Sequence, residues 1–152
     1  MTTIVTEALI RKPIAVVFDY VTTPAHWLAW HPSSIALHGA TDHSLAVGEQ
    51  VIEDFRVAGR TGAVTWTVVA RDAPLHWAIA GSVAGGGSGT ITYTLLQAPL
   101  HEAPSGTLFR REFVYVMPNW FARLLDRLFV RRRIEAESHE AVRRLTQCLE
   151  KA

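Results

Sequence analysis

Apolar and polar residues alternate from Thr3 to Ile10, with Ile4, Thr6, Ala8 and Ile10 on one side and Val5, Glu7 and Leu9 on the other. This period of two marks a half-buried strand. Lys12-Pro13 closes the run, and Ile14, Val17, Phe18 and Val21 then recur at helical spacing, predicting a helix from Pro13 through Tyr20. Thr23-Pro24 stops that helix and opens a second, short one over Ala25–Trp30, which His31-Pro32 terminates. Beyond Ser34 the pattern changes to strands and tight turns. Strands are predicted at Ser34–His38, Glu49–Val57, Ala63–Arg71, His76–Val83, Thr90–Gln97 and Leu108–Val116. Between them lie Val47-Gly48, the stretch Ala58–Gly62, Asp72-Ala73-Pro74, Gly85–Gly89, and Ala98-Pro99 through Ser105-Gly106. Most of these connections are too short for parallel crossovers, so the pairing is expected to be antiparallel.

The last thirty-odd residues differ from everything before them. From Pro118 to about Glu150 there is no Gly, and no Pro after the first residue, so a helix of roughly 45 Å is predicted at 1.5 Å per residue. Pro118 fits its first turn, where a missing N–H is not required. Trp120, Phe121, Leu124, Leu125, Leu128 and Phe129 form a broad apolar face in the first half. Ala141, Val142, Leu145, Cys148 and Leu149 form a narrower one in the second. Between them, Arg131 to Glu135, Arg133 to Glu137 and Glu140 to Arg144 are spaced for i,i+4 pairing on a solvated side. A helix of this length has to lie against something extended. The order strand, two short helices, six strands, long helix therefore predicts an α+β fold: a seven-stranded antiparallel sheet wrapped around the C-terminal helix, with a hollow between them.

Composition narrows the class. The 152 residues suit a single domain spanning 1–152 that buries roughly 70% of its unfolded surface. A formal net charge of +1 supplies no global attraction to nucleic acid or membrane. Cys148 is the only cysteine, which excludes a disulfide framework and suits a reducing cytoplasm. Met1–Glu7 lacks a basic segment followed by an apolar core, so no signal peptide is expected. No apolar run approaches the ~18 uncharged residues of a membrane span, so no stable membrane insertion is expected. The Gly85–Gly89 run lacks the Lys-Ser/Thr and following helix of a phosphate loop, and reads as a hairpin turn with no cofactor implied.

Several short matches, in order, carry a family resemblance. Ile10-Arg-Lys-Pro-Ile-Ala-Val-Val-Phe-Asp-Tyr-Val-Thr runs from a first strand into a proline-initiated helix carrying Val-Phe. Trp30-His31-Pro32-Ser33, Val47-Gly48-Glu49, Arg71-Asp72-Ala73-Pro74 and Gly106-Thr107 follow, and the long terminal helix closes the series. Together these resemble the START/Bet v 1-like (SRPBCC) superfamily over the whole chain, most closely its polyketide cyclase/dehydrase-type branch. The resemblance implies a helix-grip fold with a cavity for an apolar ligand. It implies no single function, since members range from cyclases and hydrolytic enzymes to carriers and chaperone-like proteins.

If the faces carrying Val51, Glu53, Phe55 and Val57, then Val64, Trp66 and Val68, Trp77 and Ile79, Ile91, Tyr93 and Leu95, and Phe109, Arg111, Phe113 and Tyr115 point at the helix, the hollow is aromatic with a few polar groups. The ligand contacts this predicts are Trp30, Phe55, Trp66, Trp77, Tyr93, Phe113 and Tyr115, with Phe121, Leu125 and Leu128 from the helix. A register slip of one position would turn every side chain over and bring Arg110 and Glu112 inward instead. An inward Glu53 would have a raised pKa suited to acid/base work, and Arg111 could bind a carboxylate or enolate. Both could equally sit on the solvent face or pair across strands.

His31, at the expected cavity mouth, could shuttle a proton or simply pack a loop, and Tyr115 is a further acid/base candidate. His26, His31, His38 and His43 lack metal-ligand spacing, so no metal is expected. No Gly-x-Ser-x-Gly elbow or Cys–His pair supports acyl-enzyme chemistry. The stretch from Trp120 through Arg133 could lie on a membrane surface, but the same residues are the ones needed to close the sheet, which makes core packing the expected reading. Nucleic acid is disfavoured, because the arginines are not interleaved with exposed aromatics. Three functions remain: a carrier for a hydrophobic or aromatic molecule, an acid/base enzyme of the cyclase or dehydratase kind using Glu53, Arg111, His31 or Tyr115, and an interaction module that holds another protein or forms a homodimer.

Overall fold

The computed structural model describes residues 1–57, 59–98 and 106–151. Strand β1 (Thr2–Ile10) leads into helix α1 (Ile14–Thr22), a 3-10 turn at Pro24–His26 and the short helix α2 (Trp27–Trp30). Strands β2 (Ser34–Gly39), β3 (Gln50–Val57), β4 (Arg60–Asp72), β5 (His76–Val83), β6 (Ser88–Ala98) and β7 (Gly106–Val116) follow. They form one seven-stranded sheet in the order β1-β7-β6-β5-β4-β3-β2. Every neighbouring pair is antiparallel, as the short connections require. Strand β4 begins at Arg60, earlier than the predicted Ala63, because Val57 and Arg60 already pair across the turn. The turn expected over 98–106 lies mostly outside the described residues.

Burial shows which way the strands face. Ile4, Thr6, Ile10, Val51, Glu53, Val64, Trp66, Val68, Ile91, Tyr93, Leu95, Phe109, Arg111 and Tyr115 are buried, whereas Val5, Leu9, Ile52 and Val69 are exposed. The register is therefore the one that turns Glu53 and Arg111 inward. Arg110 and Glu112 remain on the outer face, 3.6 Å apart.

The C-terminal helix is continuous from Trp120 to Glu150, but it is not uniform. Helix α3 (Trp120–Leu125) passes through a π-turn at Asp126–Val130 into α4 (Arg131–Glu150). Asn119 caps it, its Oδ1 accepting from the Ala122 N–H at 2.8 Å. Two of the anticipated ion pairs form on α4, Arg133 with Glu137 at 3.6 Å and Arg144 with Glu140 at 2.9 Å. Ile134, Ala141, Val142, Leu145 and Leu149 bury the α4 stripe, which packs against β1 and α2.

The first half of this helix overturns the core-packing expectation. Trp120 is 74% exposed, Phe129 67%, Phe121 55%, Leu128 52% and Leu124 44%. Of the six apolar residues expected to close the sheet, only Leu125 is even partly buried. The reason is that Ala122, Leu125 and Val130 take the side of this half that faces the sheet, which leaves Trp120, Phe121, Leu124 and Leu128 on the outer side.

Candidate functional site

The grip is solid at one end and hollow at the other. At the solid end, α1 and α2 push large side chains between sheet and helix. Trp30 lies edge-on to Phe109 at 6.4 Å, Trp27 edge-on to Trp77 at 6.3 Å, and Trp77 stacks on Tyr93 at 5.3 Å. Two of their polar edges are answered, Trp27 Nε1 donating to the Val21 carbonyl at 2.9 Å and Trp77 Nε1 to that of Leu45 at 3.0 Å, whereas Trp30 Nε1 finds no partner among the described residues. Trp30, Trp77 and Tyr93, expected to touch a ligand, belong to this packed end and not to the cavity wall. Phe121 and Leu128 lie on the outer surface of the helix, also off the wall.

At the other end a cavity of about 570 Å³ separates β3–β7 from the C-terminal helix. Phe55, Trp66, Phe113, Tyr115 and Leu125 of the expected set line it. Two of these aromatics lie over a glycine on the neighbouring strand, Phe55 opposite Gly62 and Trp66 opposite Gly81. A Cβ on Gly81 would come within 2.7 Å of the Trp66 ring, and one on Gly62 within 2.7 Å of the Phe55 ring. The missing side chains let the rings lie close to the sheet, which keeps the space above them open.

The wall is mostly apolar, with His31, Arg60, Arg111, Glu137 and Ser138 among its polar members, and Thr6 and Tyr93 lie behind it beside Arg111. Cross-strand pairing sets Arg111 between Thr6 of β1 and Tyr93 of β6. Arg111 is only 5% exposed, donates to Ser138 Oγ at 3.3 Å, and lies 5.5 Å from the centroid of Phe113. Arg111 Nε, Tyr93 Oη, Thr6 Oγ1 and His31 Nε2 are buried without a hydrogen-bond partner among the described residues. Each such atom costs about 1–3 kcal/mol relative to a satisfied one.

Glu53 lies behind the wall, accepting from Trp66 Nε1 at 3.1 Å and bonded to Ser34 Oγ. Burial raises its pKa, while the bonds from Ser34 and Trp66 and the charge of Arg111 act in the opposite direction. His31 lines the cavity. Burial, assisted by the Arg111 charge, holds its pKa well below the ordinary 6.5, so it is neutral at pH 7. The Tyr115 hydroxyl is already engaged, donating to Asp126 Oδ1 at 2.6 Å, and Thr2 Oγ1 donates to Oδ2 at 3.0 Å. Burial first, and the Asp126 bond second, push its pKa up. Tyr115 thereby fastens the π-turn to β7 and β1, a structural task for a residue considered as an acid/base group.

These shifts give opposite pH dependences. The folded state keeps His31 neutral, so its stabilising contribution is full above pH 6.5 and is lost as pH falls from there toward the lowered folded value. Glu53 holds its proton more tightly folded than unfolded, so stability declines as pH rises through the window that opens upward from 4.5. In a series of thermal melts, His31→Phe should flatten the acid-side loss and Glu53→Gln the decline with rising pH. An unchanged acid-side slope in His31→Phe would contradict a buried neutral imidazole.

The other histidines are dispersed. His26 stacks on Tyr20 at 4.2 Å, His38 meets Asp54 at 3.0 Å, and His43 sits between Asp42 and Glu49. Among the described residues no three potential ligands gather around a metal position. Sequence reasoning did not pick out Ser138 or Asp126 as partners, and it placed Glu137 on the solvated side although it also stands in the cavity wall. Alternation puts Thr6 on one side of its strand with Ile4, Ala8 and Ile10, but nothing along the chain signals that it adjoins Arg111.

The family profile and the solved structures agree on the architecture. The profile of the family described as polyketide cyclase/dehydrase and lipid transport matches residues 1–150. No curated protein matches in sequence. TTHA0849 from Thermus thermophilus is similar at 14% identity over 99% of this chain and 98% of its own, with a TM-score of 0.75. Ara h 8.0201 is similar at 14% identity over 99% of both chains, with a TM-score of 0.69. DynU16, from the dynemicin biosynthetic locus, is similar at 16% identity over 97% of this chain and 47% of its own, with a TM-score of 0.65. At these identities the structural likeness is one of fold, the Bet v 1-like helix grip.

Proposed function

Because this chain belongs to the polyketide cyclase/dehydrase and lipid transport family, we propose that it binds a hydrophobic small molecule bearing a carboxylate or enolate oxygen in the cavity between sheet and helix. The observation that carries this reading is Arg111, a cation 5% exposed in a mostly apolar wall, hydrogen-bonded to Ser138 and with Nε unpartnered among the described residues. A buried charge without an ion-pair partner is costly, and an anionic ligand atom would offset that cost. Burying about 200 Å² of ligand against Phe55, Trp66 and Phe113 contributes roughly 5 kcal/mol at 25 cal/mol per Å². That only matches the lower range of what association costs in lost freedom, about 4–15 kcal/mol. The polar anchor therefore decides whether binding is useful.

Native mass spectrometry of the purified protein tests this, followed by denaturing extraction of whatever accompanies it. A stoichiometric acidic amphiphile or aromatic acid is the expected result. An empty protein that gains no thermal stability from a panel of fatty and aromatic acids would count against the reading.

His31 favours a second reading, in which the bound molecule also reacts. It is a neutral imidazole in the cavity wall with Nε2 unpartnered, the state required of a general base, and Arg111 would stabilise an enolate formed by proton abstraction. Glu53 is less suited to that role because both its oxygens are engaged by Ser34 and Trp66.

A further inference from the structure

The exposed stripe on the first part of the C-terminal helix is not random surface. Trp120, Phe121, Leu124 and Leu128 recur at helical spacing and are each at least 44% exposed. Arg123, Arg127 and Arg131 follow one another at intervals of four along the same segment, and Arg132 and Arg133 extend the charge; all five are exposed. The only acid between Pro118 and Ile134 is Asp126, which is buried and held by Tyr115 and Thr2, so the segment presents no surface anion. Arg123, Arg127 and Arg131 also border a small hollow of about 230 Å³ beside Met1 and Met117. On a chain whose net charge is only +1, this is a local concentration of cations beside large apolar side chains.

We propose that this segment docks on an anionic lipid surface, with Trp120, Phe121, Leu124 and Leu128 at the boundary between headgroups and acyl chains and the arginines on the phosphates. Two kinds of occupant could cover the apolar stripe, and charge separates them. A second copy, apposed through the same face, would set Arg123, Arg127, Arg131 and Arg132 against four more, Arg133 being already paired with Glu137. A bilayer containing acidic phospholipid supplies the opposite charge, the apolar layer at matching depth, and the interface that Trp prefers. The fold also makes the segment a firm platform, because Asn119 caps its start and Asp126 ties it to two strands. Phe129 is 67% exposed and at the same time part of the cavity wall, so the docked face includes the cavity's rim. The docking does not depend on what the cavity holds.

Vesicle flotation of the full chain tests the proposal, comparing phosphatidylcholine alone with a mixture containing about 30% phosphatidylglycerol. Wild type is expected to float with the anionic vesicles at least about tenfold more than with the neutral ones in about 0.1 M NaCl, and to lose most of that preference in about 0.5 M. Arg123→Gln/Arg127→Gln should lose the preference for anionic lipid, and Trp120→Ser/Phe121→Ser should lose flotation altogether. These side chains are exposed, so melting temperatures are expected to stay near wild type; should the double serine variant melt early, Trp120→Gln alone carries the comparison. Wild type that floats with neither vesicle, or flotation unchanged in every variant, overturns the proposal. So does a wild-type dimer in sedimentation equilibrium that the Trp120 variant makes monomeric while neither floats, which would assign the face to self-association.

Discussion

Replacing Arg111 by Met is expected to lower affinity for an anionic apolar probe by about 10- to 100-fold, the loss of a buried charge-assisted hydrogen bond worth roughly 1.5–3 kcal/mol, without lowering the stability of the free protein. The two effects have one cause. In the free protein the guanidinium is buried, bonded to Ser138, and without a partner at Nε among the described residues, so its removal also removes a desolvated charge. Replacing such a group by an apolar side chain of similar length is commonly neutral or stabilising. Glu53 then loses the opposing charge that helps keep its pKa down, and protonates more readily. With an anion in the cavity the balance reverses, because Arg111 is the buried cation of the wall, whereas Arg60 is exposed. Fluorescence titration with anilinonaphthalene sulfonate and with the uncharged phenylnaphthylamine separates these effects. The uncharged probe should bind within about threefold of wild type, since its affinity rests on apolar burial alone. An equal loss for both probes, together with a fall in melting temperature, would make Arg111 a structural residue and remove the main support for an anionic ligand.

Gly81→Ala is expected to destabilise the fold by about 2 kcal/mol, lowering the melting temperature by roughly 4–8 °C for a chain of this size. The new Cβ would lie 2.7 Å from the Trp66 ring, 2.8 Å from a methyl of Val64 and 2.9 Å from the backbone oxygen of Thr65. A ring can turn away, but the carbonyl of a paired strand cannot move without disturbing its ladder. Any turn of Trp66 would carry it into the cavity and away from its bond to Glu53. Weaker binding of the uncharged probe should therefore accompany the loss of stability. A variant that melts and binds like wild type would show that neither the ring nor the strand is held where the structure places it.

The strand faces were largely legible from alternation. Listing Glu53 with Val51 and Phe55, and Arg111 with Phe109 and Phe113, already sorted the polar candidates onto the aromatic face, because the period of two is set by backbone geometry. What alternation leaves open is the direction of that face, since Ile52 and Val69 show that the outer face also carries apolar residues. The ligand set was harder. Trp30, Trp77 and Tyr93 are as aromatic as Phe55, Trp66 and Phe113, yet they pack the solid end while the others border the cavity. No local property of a tryptophan tells which end of the grip it will occupy.

The sequence by itself determined the order of elements, the antiparallel pairing, the long terminal helix and the family, because periodicity, proline placement and short connections act over a few residues each. Tertiary structure alone decided that Thr6, Tyr93 and Arg111 would lie side by side on three strands, since register between distant strands is a property of the assembled sheet. It also decided that Asp126 would be claimed by Thr2 and Tyr115. The fate of the apolar stripe from Trp120 to Leu128 was settled in the same way. An amphipathic pattern states that a face avoids water, not what will cover it, and here Ala122, Leu125 and Val130 meet the cavity while the larger stripe lies on the side of the helix away from the sheet.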